Sequence, residues 1–240
     1  FNFPDKNGKP YKPFGGSMVW NDELEREIPD GWEVKTLRQV IFNAKNGDWG
    51  NDSCKKDSDI RVKCFRGADF SAISHIHQIT APTRYISATH ADRLLSNGDL
   101  VIEVSGGSPS QSTGRVGYIS DIFNERCEGS VCCSNFCKAF TPLTLDHQFW
   151  LYHTWKSLYD SGLMFNYEGK TTGIKNLLFE TLINSVKIAV PNTQLLKEFN
   201  DICSCIYTKI QKTLIESEWL SSIRDFLLPV LMNGQVIVED

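Results

Sequence analysis

Between Ile60 and Phe65 apolar and basic side chains alternate, and a period of two predicts a half-buried strand with Arg61 and Lys63 on its wet face. Leu100–Val104 and Arg115–Ile119 are two further strand candidates, and Val186–Val190 reads as a last strand closed by Pro191. Phe149, Tyr152, Trp155 and Tyr159 recur at helical spacing, so residues 145–159 predict an amphipathic helix. Its aromatic stripe is expected to pack into a core rather than to form a base-stacking platform.

After Val190 the pattern changes. No Gly or Pro occurs from Thr193 to Leu228, and Phe199, Ile206, Leu220 and Leu227 fall seven or fourteen apart, with Ile202 and Ile223 three further on. Lys209, Thr213 and Glu216 interrupt this seam, while Ile210 and Leu214 widen it. A helix of about 35 residues would be about 50 Å long at 1.5 Å per residue. A domain of this size cannot cover such a length, so the helix is expected to project and to need a partner helix. Phe199, Ile202, Ile206, Ile210, Leu220, Ile223 and Leu227 are the candidate dimerisation residues. Pro229 is expected to end the helix and Asn233-Gly234 to turn the chain. The expected organisation is a turn-rich connector over 1–28, a globular domain over 29–191, the long helix over 192–228 and a tail over 229–240. The fold class is α+β, a mixed α/β domain followed by a projecting α-helix.

Composition narrows the function. The 240 residues are 41% hydrophobic and 22% charged with a net charge of −4, which excludes a uniformly basic nucleic-acid sponge but not a local basic face. No apolar run is long enough to span a bilayer and the N-terminus is no signal peptide, so a cytoplasmic protein with no membrane partner is expected. Eight cysteines without a secretory signal read as reduced thiols. Cys127, Cys132, Cys133 and Cys137 are spaced five, one and four apart, unlike paired CxxC zinc ligands, so they read as buried thiols and no metal is expected. No phosphate loop, GxGxxG step or nucleophile elbow occurs, Asp30 and Glu33 lie too close for a two-carboxylate nuclease centre, and His75 and His77 lack a third ligand. The chain reads as a binder with no catalytic residues and no cofactor.

Two loops carry the binding signal. Residues 105–115 (Ser105, Gly106, Gly107, Ser108, Pro109, Ser110, Gln111, Ser112, Thr113, Gly114, Arg115) offer backbone N–H groups, small hydroxyls and a guanidinium, which suit phosphate oxygens and base edges. Residues 168–176, with Lys170, Thr172, Gly173, Lys175 and Asn176, have similar chemistry. Lys63 and Arg66 add cations from a third segment, so the three are expected to form one nucleic-acid face.

The order of these pieces resembles the specificity subunit of type I restriction-modification enzymes. The resemblance runs through Ile28-Pro29-Asp30-Gly31-Trp32, Phe65-Arg66-Gly67-Ala68-Asp69-Phe70, Asn97-Gly98-Asp99 leading into Ser105-Gly106-Gly107-Ser108, and Thr113-Gly114-Arg115. It continues through Cys132-Cys133-Ser134-Asn135, Thr172-Gly173-Ile174-Lys175-Asn176-Leu177 and Ser222-Ile223-Arg224-Asp225-Phe226-Leu227-Leu228-Pro229. Two features depart from the family pattern: Ala189-Val190-Pro191-Asn192 stands where a Pro-Leu-Pro-Pro step is usual, and there is one recognition domain and one long helix instead of two. The resemblance implies a non-catalytic target-recognition domain joined to one spacer helix, reading half of a bipartite site on double-stranded DNA. It also implies docking to methyltransferase subunits and, through them, to the motor-nuclease subunit. The missing second helix would be supplied by the other half of the subunit or by a second copy, in an antiparallel coiled coil. The leader Phe1–Pro10 resembles the connector that follows the first helix in that family, so the chain is expected to be the second half of a longer subunit, excised or separately encoded. The competing readings are a helical scaffold without sequence-specific DNA reading and a stand-alone nuclease or methyltransferase.

Overall fold

The computed structural model describes residues 16–74, 79–106, 110–170 and 174–234. A hairpin of β1 (Met18–Asn21) and β2 (Arg26–Pro29) occupies the end of the segment expected to be a connector and runs one residue past it. β3 (Glu33–Thr36) and β4 (Ile41–Asn46) follow across a 3-10 turn. The alternating segment forms β5 (Ile60–Phe65), with Val62 and Cys64 buried and Arg61 exposed, as its period requires. Then come α1 (Ser71–Ser74), β6 (Thr83–Ile86), β7 (Leu100–Glu103), the two-residue β8 (Ser105–Gly106) and β9 (Val116–Tyr118). They are followed by α2 (Asp121–Arg126), β10 (Ser130–Cys133), β11 (Cys137–Pro142), α3 (Gln148–Asp160), β12 (Glu168–Lys170) and β13 (Lys175–Leu177). α4 (Phe179–Ser185), β14 (Lys187–Val190) and α5 (Thr193–Met232) complete the described chain.

The central sheet is antiparallel in the order β4-β11-β7-β9. A second sheet, β10-β5-β6, pairs β10 with β5 in parallel, and β14 returns to lie antiparallel to β3. β7 is an unbroken apolar run, Leu100-Val101-Ile102, and all four of its residues are buried. The aromatic stripe of α3 faces the core: Phe149, Tyr152 and Trp155 are buried, and the indole N–H of Trp155 donates to the Gly114 carbonyl at 2.8 Å. That helix starts at Gln148, three residues beyond the start its pattern suggests, because Leu145–His147 wind into a 3-10 turn.

Two contrasting faces run along α5. Leu196, Cys203, Gln211 and Leu214 are buried on the rest of the domain, and Tyr207 packs its ring on Tyr118 and Phe149 at 4.5 and 4.7 Å. A polar joint locks this packing. The buried Arg126 side chain of α2 donates to Glu218 through Nε at 3.2 Å and Nη2 at 2.6 Å, and its Nη1 donates to the Ala72 carbonyl at 2.6 Å. Gln211 Nε2 donates to the Ile73 carbonyl. Leu214, read from sequence as widening the exposed seam, therefore belongs to the docking face. The other face keeps Phe199, Ile202, Ile206, Leu220 and Leu227 exposed, Ile202 at 62% and Ile206 at 52%, with Ile210 and Ile223 half-buried.

The helix does not end at Leu228. It continues through Pro229 to Met232, 40 residues in all. Proline removes one N–H and crowds the preceding turn, but here it stands on an exposed final stretch where water can reach the freed carbonyl. Among the described residues no helix is long and apolar enough to cross a membrane.

Cys127, Cys132, Cys133 and Cys137 are buried, as are Cys64 and Cys203, whereas Cys54 and Cys205 are exposed. Burial pushes the Cys127 and Cys137 thiols up to about 12 and raises Cys133 as well. Cys132 is raised by its hydrogen bond with Cys64 and by burial. Protonated, enclosed thiols are poor nucleophiles. A thiol reagent at neutral pH should therefore titrate the two exposed cysteines quickly and the six buried ones only after denaturant is added.

Candidate nucleic-acid interface

The two polar loops, separate in sequence, meet in one small sheet. β13 pairs antiparallel with both β12 and β8, setting Asn176 opposite Ser105 and Lys175 opposite Gly106. The Ser105 hydroxyl donates to Asn176 Oδ1. From the far side of the first loop, the backbone N–H and hydroxyl of Thr113 both donate to Glu168 Oε1, at 2.8 and 3.3 Å. Lys175 pairs with the other oxygen of Glu168 at 3.1 Å, and its ammonium lies 4.9 Å from the centre of the Phe165 ring.

The register of β7 and β9, extended by the Glu103 N–H donating to the Arg115 carbonyl, brings Arg115 beside Glu103. The arginine grips the carboxylate with two parallel bonds of 2.9 Å, Nε to Oε2 and Nη2 to Oε1. Arg66, at the end of β5, grips Asp69 the same way, Nε to Oδ2 at 2.9 Å and Nη2 to Oδ1 at 3.1 Å, while its backbone N–H also donates to Oδ2. The hydrogen bond to its carboxylate holds each guanidinium above its ordinary pKa. Burial pushes the Asp69 carboxyl up, but the Arg66 side-chain and backbone bonds and charge outweigh it, leaving the group below its usual range. Gly67 makes the arrangement possible, since a Cβ there would collide with the Glu103 carboxylate and stand 3.0 Å from Arg115 Nη2.

The structure thus gathers Arg66, Ser105, Gly106, Arg115, Lys175 and Asn176 into one region, with Gln111 exposed beside it and its carbonyl 3.5 Å from Lys175. Ser112 and Thr113 are buried, and Thr113 serves Glu168. Gly107, Ser108, Thr172 and Gly173 lie outside the described residues. Lys63 is placed differently. It lines a shallow cleft with Arg61, Thr83, Cys127 and Ser130, near the end of α2. Four residues had no site role in the sequence reading: Asp69, Glu103, Glu168 and the exposed Phe136, whose carbonyl accepts the N–H groups of Val104 and Ser105 at 2.9 and 3.0 Å. Asp69, three residues after Arg66, carried a readable local signal; Glu103 did not, because its pairing depends on strand register.

Chemically the region is a set of oriented donors. Each of three partly exposed cations is set against a buried carboxylate, with side-chain exposures of 32 against 7% for Arg115–Glu103, 45 against 2% for Arg66–Asp69 and 29 against 8% for Lys175–Glu168. Fixed N–H groups of this kind suit hydrogen-bond acceptors held in a defined geometry.

No protein-family profile matches the chain. The type I restriction enzyme MjaIX specificity subunit of Methanocaldococcus jannaschii is 24% identical over 242 residues, spanning 96% of this chain and 50% of that protein. The chain resembles type I specificity subunits. A crystal structure of the type I restriction-modification S subunit from M. genitalium shares the fold at a TM-score of 0.53 with 15% identity, covering 84% of this chain and 46% of that one. A structure of a type I restriction-modification system aligns at a TM-score of 0.45 with 17% identity, over 85% of this chain and 46% of that one. The chain spans about half the length of these specificity subunits. The mixed α+β architecture with its long C-terminal helix is the one expected from sequence.

The ion pairs generate a stability prediction. Asp69→Asn and Glu103→Gln should each lower unfolding stability by about 1.5–3 kcal/mol in urea titrations, since a charged hydrogen bond in a half-buried site is lost. Because the folded Asp69 carboxyl lies below its unfolded value, its contribution is present above about pH 3.9 and disappears as pH falls through the folded value. Asp69→Asn should lack that part of the acid-side loss.

Proposed function

We propose that the chain is a non-catalytic, sequence-specific DNA-binding specificity subunit of a type I restriction-modification enzyme, reading one half of a bipartite site. The observation that carries this reading is the joining of residues 105–106 and 175–176 in one sheet close to the carboxylate-held Arg115, with Arg66 beside it. A loop chemistry of small hydroxyls, glycines and fixed guanidinium groups matches what base edges and phosphates accept. The likeness to a specificity subunit over nearly the whole chain supports the same assignment. On this reading residues 29–191 are the target-recognition domain and the helix from residue 192 is the spacer.

The methyltransferase subunits, and the motor-nuclease subunit through them, are the proposed protein partners in the cytoplasm. The exposed face of α5, with Phe199, Ile202, Ile206, Ile210, Leu220, Ile223 and Leu227, is the proposed contact with the other half of a subunit or a second copy in an antiparallel coiled coil.

Binding to DNA, measured by fluorescence anisotropy over a salt series with the methyltransferase subunit present, tests the assignment. Arg115→Ala should weaken the cognate site by about 1–3 kcal/mol and leave nonspecific DNA nearly unchanged. Lys175→Ala should weaken all sequences alike and lower the salt slope by about one. Unaltered binding in both variants overturns the proposed face.

Sedimentation of the pure chain tests the helix. A dimer at tens of micromolar is expected, and Ile206→Asp or Ile223→Asp should shift the mass to that of a monomer. A wild-type monomer overturns self-association.

A further inference from the structure

Building on the reading of this chain as a DNA-binding subunit, we propose that Arg66 and Arg115 are a matched pair of guanine readers, each aimed by a buried carboxylate. A guanidinium carries five N–H donors in one rigid plane. In both side chains the carboxylate takes Nε–H and one Nη2–H, through Asp69 at 2.9 and 3.1 Å and through Glu103 at 2.9 and 2.9 Å. This side-on grip fixes the plane and leaves the end edge, formed by Nη1 and the second Nη2–H. Among the described residues no hydrogen-bond acceptor takes Nη1 of either arginine. The carboxylates are the buried members of the two pairs and the arginines the exposed ones, so the gripped edges face inward and the open edges face out.

Two parallel N–H groups on such an edge match the O6 and N7 acceptors of guanine in the major groove. They also match a phosphate, and charge decides between the two. A carboxylate 2.9 Å behind the guanidinium offsets its charge and opposes a second anion in front of it, whereas the guanine edge is neutral and suffers much less. Lys175 differs: its ammonium has no fixed plane, which suits a phosphate as a point charge. The two arginines are also neighbours. Gly67, which follows Arg66, packs so closely on the Arg115 guanidinium that an added Cβ would stand 3.0 Å from Nη2. Their open edges therefore address nearby bases in one half-site. Glu103 and Asp69 are positioning residues, and Arg66, grouped from sequence with Lys63 as a cation of the face, becomes a base reader.

The test uses the full chain with its methyltransferase subunit and DNA selected from a random pool. The selected half-site is expected to hold two guanines within a few base pairs. Replacing either guanine by 7-deazaguanine, which lacks the N7 acceptor, should weaken wild-type binding roughly 5- to 150-fold. Arg115→Ala should become insensitive to the replacement at one guanine and Arg66→Ala at the other. Glu103→Gln and Asp69→Asn should relax discrimination at those same positions, and arginine-to-lysine variants should not restore it. A structural role alone would not produce this position-by-position match. A selected site that lacks guanine, or whose guanines tolerate 7-deazaguanine, overturns the inference while leaving the DNA-reading assignment in place. A pool from which wild type selects nothing removes both.

Discussion

A carboxylate withdrawn from water must be matched by a cation or by several hydrogen bonds, and this domain is organised around four that are. Asp99, fully enclosed, accepts from Lys45 at 2.6 Å, from the Thr141 hydroxyl at 2.6 Å and from the Ser96 backbone at 2.8 Å. That cluster ties β4, β11 and the approach to β7 together at one point. Glu103, Asp69 and Glu168 solve the same problem with Arg115, Arg66 and Lys175, whose heads reach the surface. The requirement to satisfy buried charge thus doubles as the device that orients the exposed donors. Their orientation is as rigid as the core beneath them, because β7 is buried along its whole length and Gly67 closes against both members of the Arg115–Glu103 pair.

The long helix follows a related logic. An apolar seam alone would let α5 slide by a turn against the domain, since one leucine resembles another at that spacing. The Arg126–Glu218 pair and the Gln211 bond to the Ile73 carbonyl do not tolerate such a shift, because displacement by one turn would leave a buried guanidinium without its carboxylate. The polar joint therefore sets the register of the helix, while the Tyr207–Tyr118–Phe149 contacts supply the apolar area. The face that carries Ile202 and Ile206 stays exposed, and on the proposed reading it is where another helix packs.

What could be read from the sequence was what is local. The alternation at residues 60–65, the aromatic spacing at 149–159 and the long run without breakers each reflect one element's own periodicity, and each appears as expected. What could not be read was pairing across distance. β8 and β13 have two and three residues, too short for any pattern, and they find each other only because the surrounding core brings them together. Polar loop composition therefore identified both halves of the candidate site without showing that they join, and it grouped Lys63 with them although that side chain lines a different cleft. The Arg115–Glu103 pair spans two strands and was invisible for the same reason. Pro229 misled in the other direction: a breaker rule derived from helix interiors was applied to an exposed last turn, where it is weak.

On the proposed reading, these features let an acidic chain serve a polyanion. With a net charge of −4 and with Arg66, Arg115 and Lys175 already balanced by carboxylates, the domain gains little from bulk electrostatics. On the proposed reading, affinity must then come from directed hydrogen bonds made after the surfaces have met, and long-range attraction must come from partner subunits in the assembly. The trade favours specificity. A guanidinium whose charge is offset loses more, relative to its total binding energy, when its acceptor pair is absent than one that is held by phosphate attraction whatever the sequence. The buried carboxylates that stabilise the fold would thereby also suppress sequence-independent binding.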